Sequence, residues 1–213
     1  MMPRFLMALL SLGASMAAGA VINFDSVINV APNQQYTTLT TQGFTFTSEH
    51  FHINDAPASC FVAFGGCATM NGTQYINVDG PQLGFAITMT ATDGAPFNVN
   101  SIDGSRLFLD ATAAALASFN NADILVLTGT LNGGGTVTAS FSLPALPGYG
   151  TFALPNTFVN LTSLTMSGSV VGLTDDASFA VDNIDVTHLP EPSTAVLMIA
   201  GLATLLRLRK YNQ

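Results

Sequence analysis

The sequence has no tryptophan, and of its 213 residues only five are lysine or arginine. Four of those five, Arg4, Arg207, Arg209 and Lys210, lie at the extreme ends, so Arg106 is the one cation of the intervening body. Neutralising nucleic-acid phosphates takes several Lys or Arg on one surface, which excludes nucleic acid as a partner. Anionic lipid surfaces are disfavoured for the same reason. Without Trp, stacking on a sugar falls to four Tyr. Glutamate is almost missing as well, with Glu49 in the body and Glu191 in the tail, so a glycosidase pair would have to come mainly from aspartates. Catalytic motifs are lacking. Gly168-Ser169-Val170-Val171-Gly172 has the wrong spacing for a nucleophile elbow, and Asn132-Gly133-Gly134-Gly135 is followed by no Lys to make a phosphate loop. These absences point to a non-enzymatic chain with no organic cofactor.

Charged residues make up 8% of the chain and apolar ones 48%, with a net charge of −8. That apolar content excludes disorder. Solubility must then come from the hydroxyls and amides of Thr, Ser and Asn.

The ends read as targeting segments. Arg4, the apolar run Phe5 to Leu12 and the small-residue site Ala18-Gly19-Ala20 form a secretory signal peptide over residues 1–20, expected as a helix and removed after Ala20. Residues 189–213 begin with Pro190-Glu191-Pro192-Ser193-Thr194. An apolar stretch then runs over 194–206, and Arg207, Arg209 and Lys210 close the tail. Such a stretch, with its positive end, predicts a single transmembrane helix whose terminus stays in the cytoplasm. At about 1.5 Å per residue it reaches only about 20 Å, against a hydrocarbon core of about 30 Å, which makes a weak anchor. Between the two segments, residues 21–188 are enough for one domain.

The tail resembles that of PEP-CTERM proteins of Gram-negative bacteria: the Pro-Glu-Pro motif, the apolar helix containing Gly201 and the basic end stand in that family's order. Leu208 interrupts the basic cluster, which in the family often runs unbroken. The resemblance implies a sorting signal, an exosortase as partner, and a transient stay in the inner membrane. Delivery to the cell surface or the extracellular polysaccharide matrix of a biofilm would follow. The body is similar to the β-rich region ahead of many such tails, with Asn23-Phe24-Asp25 at its start, Phe179 to Ile184 at its end, and a Gly-turn hairpin like Thr128 to Leu143 between. That likeness implies a carbohydrate-binding-like sandwich.

Period-two alternation fills the body. It predicts strands at Val21–Asp25, Gly43–Thr47, Gln74–Val78 and Phe85–Met89, then at Phe97–Ile102 and Arg106–Leu109, which Asp103-Gly104 separates as a turn. Ala111 to Ser118 is the one helical stretch, and Asp55 to Gly72 is a long surface loop. Ala122–Thr130, apolar on both faces, reads as a central strand paired through Asn132–Gly135 with the strand holding Val137, Ala139, Phe141 and Leu143. Strands at Thr151–Leu154 and Leu161–Val171 follow. In the last strand, Ala177–Thr187, the phase flips midway, which predicts a bulge near Asp182-Asn183. Many short strands with Gly, Pro and Asn turns predict an all-β, two-sheet antiparallel β-sandwich of jelly-roll type.

Four residue groups are candidates for chemistry. Cys60 and Cys67, in an exported chain, either close a small disulfide loop or remain thiols; their spacing matches no common zinc site. Asp25 with Asp182 and Asn183, from strands near the two ends of the body, supply either oxygen ligands for a structural Ca²⁺ or turn and bulge residues bonding the backbone. Glu49, His50 and His52 either begin a metal site or lie on the surface. Arg106 either clamps a ligand or makes a lone ion pair.

Overall fold

The computed structural model describes residues 18–27, 35–54, 73–78, 86–107, 121–144, 148–170 and 177–188. The expected signal helix up to residue 17, the loop over 55–72, the helix at 111–118 and the transmembrane helix at 194–206 lie outside these residues. Among the described residues no helix is long and apolar enough to cross a membrane.

The described chain is all β. Its strands are β1 (Ala18–Ile22), β2 (Gln35–Thr41), β3 (Phe44–Asn54), β4 (Tyr75–Val78), β5 (Ile87–Ala91), β6 (Phe97–Arg106), β7 (Ile124–Leu131), β8 (Thr136–Ser142), β9 (Gly150–Ala153), β10 (Leu161–Ser169) and β11 (Phe179–His188). Every strand pairing is antiparallel. One layer runs β8-β7-β10-β5-β3, with β2 outside β3. The other runs β9-β6-β11, with β1 and β4 end to end along the far edge of β11.

The layers are not separate sheets, as a plain sandwich would have them. Residues Phe44–Thr47 of β3 pair β5, while His52–Asn54 pair β4, so this strand turns the corner between layers. At the other side Leu161 of β10 meets Phe97 of β6. Strands β10, β5, β3, β4, β11 and β6 thus close into a six-stranded barrel that carries the remaining strands as extensions. Closure leaves those six strands with no open edge along the ring.

Alternation explains which side chains face inward. Along β5 the pattern is buried at Ile87, Met89 and Ala91 and half-exposed at Thr88 and Thr90. Phe44, Phe46, Phe97, Leu164 and Phe179 meet between the layers, with Phe44 edge-on to Phe97 at 5.2 Å and Phe24 edge-on to Phe46 at 5.3 Å. The β2–β3 hairpin turns on Gln42 and Gly43, at φ of 47° and 82°. Two central residues at positive φ match the right-handed strand twist.

Two expectations need correcting. Asp103-Gly104 is not a turn, because β6 runs unbroken from Phe97 to Arg106. A Cβ at Gly104 would lie 3.0 Å from Leu125, 3.2 Å from Leu143 and 3.2 Å from Phe152, so glycine is there for close packing. The separate strand expected at Arg106–Leu109 is therefore partly the end of β6. The sequence reading also passed over β2, whose Gln-Tyr-Thr-Thr-Leu-Thr-Thr lacks an apolar alternation.

Candidate functional site

The pairing of β1 with β11 brings together the two ends of the body, and with them Asp25, Asp182 and Asn183. Where β11 passes from β4 to β1, its register with β6 slips between Asp182 and Asp185, which is the bulge that the phase flip predicts. Asn183, at φ 44°, is the turning point; Asn tolerates this left-handed conformation better than most residues. Its side-chain amide donates to Asp103 Oδ2 at 2.9 Å.

Asp182 is completely buried. Its Oδ2 accepts from the Thr73 hydroxyl at 2.9 Å, and its Oδ1 accepts from the backbone N–H of Asn183 at 2.8 Å. Asp25, just beyond β1, accepts from the backbone N–H of Gln74 at 2.9 Å. Three carboxylates therefore surround one strand junction, each bonded to a neighbouring donor. Asp25 follows β1, Asp182 lies at the bulge of β11, and Asp103 lies within β6. Among the described residues no three His, Cys, Asp or Glu side chains converge as a metal site.

The second candidate group divides. Glu49 is exposed, His50 is half-exposed and His52 is 3% exposed, with the two rings edge-on at 6.1 Å. On β3 this is the corner between layers: a register slip there puts Ser48, Glu49 and His50 opposite Thr37. His52 faces Asn77 of β4, which faces Ala180 of β11 and then Ser105 of β6, so a buried, mainly polar row crosses the second layer. Ser105 donates its hydroxyl to the Gly148 carbonyl at 3.0 Å, and Tyr75 lies edge-on to Tyr149 at 6.2 Å beside it.

Arg106 pairs with Asp123 at 2.7 Å, both about a third exposed, which is the lone ion pair. A second pair, unforeseen in the sequence, joins His188 Nε2 to Asp93 Oδ1 at 3.2 Å. The backbone N–H of Ala95 donates to the same Asp93 oxygen at 3.0 Å. That hydrogen bond first, and His188 after it, hold the Asp93 carboxyl below its ordinary value of 3.8.

Ala18 and Ala20, at the expected leader cleavage site, lie in β1 opposite His188 and Val186. Cys60, Cys67, Pro190, Glu191, Pro192, Ser193, Thr194, Arg207, Arg209 and Lys210 are outside the described residues. Sequence reasoning missed Thr73, Gln74 and Asp103 at the junction. Asp103 was visible there only as part of a turn.

No protein-family model and no curated protein matches the sequence. Among solved structures the chain is similar to a family 29 carbohydrate-binding module at 12% identity and TM-score 0.41, over 81% of this chain and 92% of that one. It is similar to the carbohydrate-binding module CtCBM11 at 13% identity and TM-score 0.38, over 84% and 99%. A DUF4465 family protein from Bacteroides ovatus gives 10% identity and TM-score 0.44, over 80% and 98%. Likenesses this distant carry no functional argument, and the site geometry must supply one.

Proposed function

We propose that this chain is an exported, non-enzymatic β-sandwich that binds extracellular polysaccharide after an exosortase has released it from the inner membrane. The observation that carries the binding reading is a contrast, among the described residues, between acids engaged in bonds and hydroxyls open to solvent. Asp25, Asp103 and Asp182 are tied into the strand junction, Asp123 into an ion pair and Asp93 into a turn. The outward side chains of the larger layer are mostly hydroxyls, with Ile124 and Val126 of β7 among them, and hydroxyls both donate to and accept from sugars.

Delivery rests on the tail. Pro190-Glu191-Pro192 presents an extended segment to the processing enzyme, the apolar run over 194–206 docks in the membrane, and Arg207, Arg209 and Lys210 orient it. Cleavage frees the sandwich toward the surface or matrix.

Two measurements test the two halves. Mass spectrometry of the exported protein should find the chain ending near the Pro-Glu-Pro motif, and a mature form intact to Gln213 overturns the sorting claim. Pull-down on insoluble neutral polysaccharides, with and without a chelator, tests binding. Retention on none of them overturns the binding claim, and a chelator effect would assign Ca²⁺ a part in it.

A further inference from the structure

We infer that the face formed by β8, β7, β10, β5, β3 and β2 binds a long, neutral polysaccharide chain laid across its strands. The inference rests on the polysaccharide-binding reading above and gives it a site. Register places Thr138 opposite Thr128, Thr128 opposite Thr165, Thr165 opposite Thr88, Thr88 opposite Thr47 and Thr47 opposite Thr38. One threonine therefore stands on each of six neighbouring strands. Two residues along each strand a second row follows, from Thr136 and Thr130 through Ser163 and Thr90 to Thr45 and Thr40. None of these side chains is buried. Strand spacing sets the hydroxyls about 4.8 Å apart along a row, and the strand repeat sets the rows about 6.8 Å apart. The Thr88 and Thr165 hydroxyls are hydrogen-bonded at 3.1 Å, as are those of Thr40 and Thr45, so the side chains point along the rows.

Each threonine presents a donor, an acceptor and a methyl group, on a side chain stiff at χ1 that loses little freedom on contact. Neither row has an ionisable or an aromatic side chain. With no ring to stack on, a short sugar gains too little here. A long chain gains by repeating the same weak contact on strand after strand. Charge selects its chemistry: a chain of net charge −8 with one body cation repels anionic polymers, and repels a second copy of itself. Shape decides against a flat crystal such as ice. Neighbouring strands rotate by about 20–25°, so a plane resting on two strands leaves the outer ones, while a flexible polymer follows the row.

The test is affinity electrophoresis of the full-length chain through gels carrying hydroxyethyl cellulose or galactomannan, both neutral, or anionic alginate. The neutral gels should retard the chain and alginate should not. Thr88→Val, Thr128→Val and Thr165→Val together should weaken retardation about tenfold or more. Thr138→Asp, a single change on the exposed edge strand, should do so by replacing a donor hydroxyl and a methyl with a strongly hydrated carboxylate that has to shed water on contact. Thr151→Val, on β9 of the other layer, should leave retardation unchanged. If both row variants melt and migrate like the parent while the parent is retarded, the site is elsewhere: this inference fails and the broader reading survives. If no neutral gel retards the parent, both fail. A parent dimer lost in the variants, or ice shaping lost in them, would give the face to a second copy or to ice and would overturn the inference.

Discussion

The junction around the β11 bulge and the threonine face of the opposite layer are built from the same kinds of residue in opposite ways. At the junction, Asp182 is fully buried, its neighbours range from half-buried to exposed, and the polar groups are unevenly spaced and bonded to partners from distant parts of the chain, such as Thr73 with Asp182 and Asn183 with Asp103. On the face they are open to solvent and regular, and where bonded to each other they bond to the next strand, as Thr88 does to Thr165. A buried polar group left without its partner costs far more than an exposed one, because water cannot replace what is lost. The junction should therefore be sensitive to change, and the face tolerant of it.

The strongest way to break that comparison lies where the two regions meet. A Cβ on Gly168 would fall 2.3 Å from the Ala177 carbonyl and 2.9 Å from both Ala122 and Phe179. Gly168→Ala should cost about 3 kcal/mol in urea unfolding, because backbone must move. An unchanged midpoint would show that β10 and the start of β11 are not packed together. Next comes Asp182→Ala, which removes a fully buried acceptor from the half-buried Thr73 hydroxyl and Asn183 N–H and should cost about 1–3 kcal/mol. Thr128→Val, on the half-exposed face, should change stability by less than about 0.5 kcal/mol. If it costs as much as Asp182→Ala, the distinction between the regions is lost.

The smallest effect is one of pH. A carboxyl held below its ordinary value stabilises the fold fully above 3.8, and the contribution is lost as pH falls through the lower folded value. Asp93 is 56% exposed, so solvent screens most of this. Asp93→Asn should slightly flatten the decline of melting temperature below pH 3.8, and an unaltered curve would remove this contribution.

The face was more legible in the sequence than the junction, and for a physical reason. In β5, β8 and β10 the inward and outward residues alternate locally, and turn residues bracket them, so both strand and face can be read from a short window. Even the bulge was visible, since Phe179 and Val181 share one parity while Ile184 and Val186 share the other. What closes around it was not. Thr73, Gln74 and Asp103 reach the junction from 109, 49 and 80 residues along the chain from the residues they bond. Gly104 shows the same limit: Asp-Gly is a strong local turn signal, and only Leu125, Leu143 and Phe152 explain why β6 keeps a glycine. The threonines of β5, β8 and β10 were legible strand by strand, but β2 was not, and the alignment of the row depends on register between β10 and β5 that no local window contains.

The position of β11 also bears on time. It joins β1, β4 and β6, yet it is the last of the described strands to be made, so those three wait for their common neighbour until residue 188 has been added. Contacts that distant in sequence form slowly. Until β11 is added, β1 lacks the one strand it pairs with among the described residues, and the ring of six strands stays open between β4 and β6.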